Sequence, residues 1–197
     1  MTKITWKHEH TELDGSSPIE KKIEIFQARV WGSQLHVAEL AINGGRNHEQ
    51  TEDVSALPHS GFATLHILLS YFEMIDRYKR GDIGEAAPGK AFKRGVQMVF
   101  PDIGKSPHTV TNPFLQKLYK DARCGLYHMS MTRSGIGIWN QGEAIAYDDK
   151  QNVILINPHK LAPALTNHFA DYIQRLNNPS ETVLRKAFES RFDHDNS

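Results

Sequence analysis

The sequence predicts a mainly α-helical protein: an antiparallel helical bundle with a small C-terminal β-hairpin or meander, built as one domain over residues 1–197. Three observations predict it. Apolar residues recur at helical spacing in several stretches, as in Ile19, Ile23, Phe26 and Val30, or Phe62, Leu65, Leu69, Phe72 and Ile75. Short β-prone runs cluster in one place, at 136–139, 144–147 and 153–156, separated by turn residues. The chain's 197 residues, 39% hydrophobic and 23% charged, suffice for one ordinary globular core.

Taken in order, residues 1–16 are polar, with a short strand expected at 4–6. Ser17-Pro18-Ile19-Glu20 reads as a capped helix start, with Pro18 at the first helical position and Glu20 completing a capping box. The apolar stripe continues through Val37 to Ile42, weakened at Gly32, and a polar loop follows at 43–57. Pro58 opens a second helix that ends near Gly81. A short helix over 91–100 is stopped by Pro101, and after a loop at 102–112 a helix runs from Pro113 to about Tyr127. Asn157-Pro158 caps a helix that turns Leu161, Leu165, Phe169, Tyr172 and Leu176 inward. A last helix carries Val183, Leu184, Ala187 and Phe188, and the tail at 193–197 is expected to fray. The bundle thus occupies 17–130, the β insertion 134–156 and the C-terminal helices 158–192.

Lys plus Arg and Asp plus Glu are balanced at 23 each, which excludes a broad basic face and confines any nucleic-acid contact to a local patch. A single cysteine, Cys124, excludes an internal disulfide and any multi-cysteine metal site. No apolar run is long enough to span a bilayer and the N-terminus is not a signal peptide, so cytoplasmic localisation is expected. His8-Glu9-His10 reads as a solvated pair and not as metal ligands, and His66 as a core or interface histidine. No metal or cofactor is expected.

One stretch concentrates cations. Between 105 and 133 lie Lys105, Lys117, Lys120, Arg123 and Arg133 against Asp121 alone, with His108 and His128 beside them. Arg near His suits phosphodiester chemistry: the guanidinium stays charged and clamps a phosphate, while imidazole carries a proton near neutral pH. Such a pair could cleave RNA without a metal, using the ribose 2′-hydroxyl as nucleophile. The spacing alone is unspecific, since Arg29…His36 comes close to it. Five positions also place the two side chains about 140° apart on an α-helix, so the Arg must reach round or a second subunit must complete the site.

The segment Arg123-Cys124-Gly125-Leu126-Tyr127-His128, late in a helix after Phe114…Tyr119, resembles the signature of HEPN domains (higher eukaryotes and prokaryotes nucleotide-binding). The stretches Ser70-Tyr71-Phe72-Glu73-Met74-Ile75 and Phe92-Lys93-Arg94-Gly95 are similar in character, and the resemblance covers roughly 17–177. It implies an all-α bundle, usually dimeric, and a metal-independent endoribonuclease of the kind found in toxin–antitoxin, phage-defence and RNA-processing systems. By that resemblance Arg123 and His128 are catalytic at a dimer-interface cleft, and Glu73, with Arg77 one turn on, is the acidic position that holds the Arg. Cys124 supports the site, standing where active members commonly carry Asn, Asp or His; Lys117, Lys120 and Arg133 are the expected RNA contacts. The implied partners are RNA, a second copy of the chain and an antitoxin or other protein. Two alternatives stand beside this: a non-catalytic HEPN-like module that binds nucleotide, RNA or protein, and an unrelated helical protein whose Arg/His pair is accidental.

Overall fold

Helix α1 (Ile19–Gln27) passes directly into a π-helical segment, Ala28–Leu35, and then into α2 (His36–Asn43). The structure, a computed structural model, describes residues 3–9, 13, 16–84, 87–103, 111–148 and 150–197. His10, Lys105 and His108 lie outside them. The helix continues past Gly32, and the Trp6 ring packs where a Cβ on this glycine would stand. The expected capping box is absent: Pro18 takes the N-cap position without a side-chain cap, and Glu20 instead accepts from Arg185 at 2.6 Å. At the N-terminus Lys3 and Glu9 make a single antiparallel bridge and no strand forms at 4–6. His8 is buried and not solvated, because its ring bonds Thr5 at 2.8 Å and Glu24 at 3.0 Å, tying this segment to α1.

Strands β1 (Gly45–Arg46) and β2 (Asp53–Val54) form an antiparallel ribbon within the polar loop. Helix α3 (Gly61–Arg80) starts three residues after Pro58 and stops where Gly81 turns left-handed, with φ +61°. It buries Leu65, Leu68, Leu69, Tyr71, Phe72, Ile75 and Tyr78, whereas Phe62, expected inward, is exposed at its first turn. Helix α4 (Pro88–Val99) has Pro88 in its first turn and lies hard against α3, since a Cβ on Gly95 would run into the Phe72 carbonyl. Arg94 grips the fully buried Asp76 through Nε and Nη2, at 2.8 and 2.5 Å.

Helix α5 (Thr111–Lys117), a π-helical segment Leu118–Arg123 and α6 (Cys124–Met129) make one unbroken helical run. The buried Leu118, Ala122 and Leu126 fall at successive intervals of four. That spacing drifts round an α-helix but stays on one face where a wider turn intervenes.

The expected meander has a different order. Strand β5 (Val153–Ile156) sits between β3 (Ile136–Ile138) and β4 (Ile145–Asp148), parallel to the first and antiparallel to the second. The central place follows from side chains: Ile154 and Ile156 are fully buried, the most enclosed positions of the three strands. Helix α7 (Pro158–Leu176) opens as expected, with the Asn157 side chain accepting the His159 N–H and Pro158 in the first turn. Helix α8 (Thr182–Asp195) buries Leu184, Phe188 and Phe192 and exposes Val183. At the tail, Lys22 Nζ reaches Asp193 at 2.8 Å, and both Arg29 Nη atoms donate to Asn196 Oδ1 at 3.1 Å.

The helices and β5 contribute to one hydrophobic core. Phe26 is its aromatic centre, with ring centroids of Tyr78, Phe188 and Phe169 at 4.3, 5.3 and 5.6 Å. Among the described residues no helix is long and apolar enough to cross a membrane.

Candidate functional site

Arg123 is the last residue of the second π-helical segment, and its side chain turns toward the middle of α3. There Arg123 Nε lies 2.5 Å from Glu73 Oε1, with 20% and 13% of the two side chains exposed. The approach is a charge contact, not an aligned hydrogen bond, because that buried oxygen accepts no well-directed N–H. The Arg123 guanidinium also lies over the Tyr127 ring, 4.7 Å from its centroid. A shallow concavity of about 90 Å³ opens beside this pair, lined by His66, Leu69, Ser70, Arg123, Leu126 and Tyr127.

His128 stands in the last turn of α6, exposed, with its ring edge-on to Tyr127 at 5.1 Å. The Tyr127 ring is therefore shared by Arg123 and His128. Cys124 is half-buried near Tyr119, whose hydroxyl is pushed up by burial first and then by that thiol. Gly125 has a structural reason. The chain reverses at Ser130 (φ 57°) and runs back over α6, so a Cβ on Gly125 would come within 2.8 Å of the Met131 carbonyl. Arg133 N–H seals the reversal by bonding Asp121 O at 2.8 Å.

The expected RNA contacts divide. Lys120 and Arg133 are exposed. Lys117 is committed elsewhere: its Nζ donates to Asp121 at 3.2 Å and fills the space under Gly135, whose φ is +92°. Arg77 is half-buried one turn beyond Glu73. Among the described residues no group of three or more His, Cys, Asp or Glu could hold a metal.

Sequence reasoning missed His66. It is exposed and not in the core, and its ring faces Tyr127 at 6.0 Å. Its helical phase carries the signal: His66, Ser70, Glu73 and Arg77 recur at four, three and four positions, a stripe separate from the buried Leu65–Leu68–Leu69–Phe72 face. A larger cleft of about 800 Å³ lies elsewhere, between the start of α3, Trp139 and the start of α7. No Lys, Arg, Asp or Glu lines it, and its titratable side chains are His59 and His159.

Comparison of the chain with protein-family models, with curated proteins and with solved structures gave no significant match in any of the three.

Proposed function

We propose that the protein is a metal-independent endoribonuclease of HEPN type, a toxin or defence effector, with Arg123 and His128 at its centre. One observation carries the reading: Glu73 fixes Arg123 against the Tyr127 ring, and that ring also bears the exposed His128. An arginine that meets a carboxylate through Nε keeps its terminal nitrogens for a phosphate. His128 takes the proton from the ribose 2′-hydroxyl, the 2′-oxygen attacks phosphorus, and Arg123 steadies the charge that develops on the non-bridging oxygens. The products are a 2′,3′-cyclic phosphate and a free 5′-hydroxyl.

A homodimer fits the same surface. Tyr127, Met129 and Met131 are 61, 62 and 62% exposed, an apolar cluster beside the site built of residue types that favour interfaces. A second copy packed there would complete a cleft around both Arg–His pairs. Lys120 and Arg133 would hold the RNA backbone outside it.

The test is cleavage of mixed single-stranded and structured RNA in EDTA, with DNA of the same sequence as control. RNA is expected to be cut and DNA left intact. Lys120→Ala with Arg133→Ala should weaken RNA binding and flatten its salt dependence. A folded dimer that binds RNA and never cuts it would favour the non-catalytic module instead, a reading favoured by the half-buried Cys124 where active HEPN members commonly carry Asn, Asp or His; unchanged binding and salt slope in the double variant would place the RNA contacts elsewhere.

A further inference from the structure

We infer that His66 is a second catalytic imidazole, the acid that protonates the leaving 5′-oxygen; this rests on the ribonuclease reading above. An Arg and one His supply a charge clamp and a proton acceptor, but strand scission also needs a proton donor. Breaking the P–O5′ bond leaves an alkoxide, which departs slowly unless it is protonated as the bond breaks. The concavity beside Arg123 offers a second imidazole. His66 lines the same 90 Å³ concavity as Arg123 and Tyr127. Its ring faces Tyr127 at 6.0 Å, while His128 meets that ring at 5.1 Å, so two imidazoles and the guanidinium gather at one phenol.

The two imidazoles come from different elements, His66 from the first half of α3 and His128 from the end of α6. In the proposed complex the phosphate held by Arg123 lies between the two rings, as an in-line displacement requires. The proton balance closes. The 2′-oxygen gives its proton to neutral His128 as the O2′–P bond forms, and protonated His66 gives one to O5′ as the P–O5′ bond breaks. Exchange with water then restores both rings. His66 also shares a helical face with Glu73, two turns away, so the helix that fixes Arg123 fixes the acid as well.

The experiment compares two RNA oligonucleotides with one cleavable linkage, in EDTA. One has the natural 5′-oxygen; the other has sulfur bridging at that position, a leaving group that departs without protonation. His66→Ala should slow cleavage of the oxygen substrate by roughly 100-fold or more and restore near wild-type rates on the sulfur substrate. His128→Ala should be slow on both. His66 is exposed, and circular dichroism should report an unchanged fold. A His66→Ala protein equal to wild type on the oxygen substrate, or equally impaired on both, would overturn this assignment and leave the ribonuclease reading standing. A wild-type protein that cuts neither substrate would overturn both.

Discussion

Arg123 Nε stands 2.5 Å from Glu73 Oε1, joining the end of a π-helical segment to the middle of α3. Both side chains are mostly enclosed, so removing the carboxylate strands a positive charge that still faces an aromatic ring. Glu73→Ala should cost about 1–3 kcal/mol of stability, measured by urea unfolding. It should lower RNA cleavage more than tenfold, because Arg123 loses its aim. Wild-type behaviour in both measurements would show that the contact positions nothing.

The Asp76–Arg94 pair is a second carboxylate–guanidinium contact made by α3, to a residue of α4. Asp76 is fully buried and both of its oxygens are taken by Arg94. Arg94→Ala leaves that carboxylate uncompensated and should destabilise the fold by about 3–5 kcal/mol, read from the urea midpoint. Asp76→Leu combined with Arg94→Met should recover much of the loss. A single Arg94 variant as stable as wild type would contradict the buried-pair account.

His168 sets a pH dependence. Burial, and then the Lys79 charge, push it down to about 4 from the ordinary 6.5, with Asp171 opposing. Burial holds Tyr71 protonated, so its hydroxyl donates to the neutral ring's Nδ1 at 2.7 Å. The unfolded chain therefore binds the extra proton between about pH 6.5 and 4, and the contribution, complete above 6.5, is lost as pH falls through that window. With allowance for solvent at a partly open site it amounts to about 1–2 kcal/mol. His168→Gln should flatten the stability profile between pH 6.5 and 4. An unchanged profile would rule this histidine out as its source.

Association should follow the apolar cluster at the site. Light scattering at micromolar concentration should report a dimer. Met129→Glu with Met131→Glu should give a folded monomer of lower activity, since two charges would be placed in the contact. A wild-type monomer would remove the second copy from the mechanism.

Much of the helical scaffold was legible because local chemistry specifies it. Asn157-Pro158 opens α7 as its capping chemistry predicts, and its inward stripe from Leu161 to Leu176 is buried. The strand order was not legible, since placing β5 between β3 and β4 depends on long-range pairing that no turn signal encodes. The Glu73–Arg123 contact was legible from the resemblance alone, as fifty positions of chain separate the two residues. Lys117 illustrates the opposite case: sequence shows its charge but not that Asp121 and the Gly135 turn already hold it. His66 escaped because it adjoins Leu65 in sequence, while the 100° step of a helix separates their faces.

The most direct test of the central claim is the product formed at one cleavable linkage in EDTA by wild-type protein and by Arg123→Ala. The account predicts a 2′,3′-cyclic phosphate from wild type, and a loss of at least about 100-fold in the variant with its fold intact by circular dichroism and melting temperature. Cleavage by Arg123→Ala at the wild-type rate, or wild-type activity that requires a divalent metal, would contradict it.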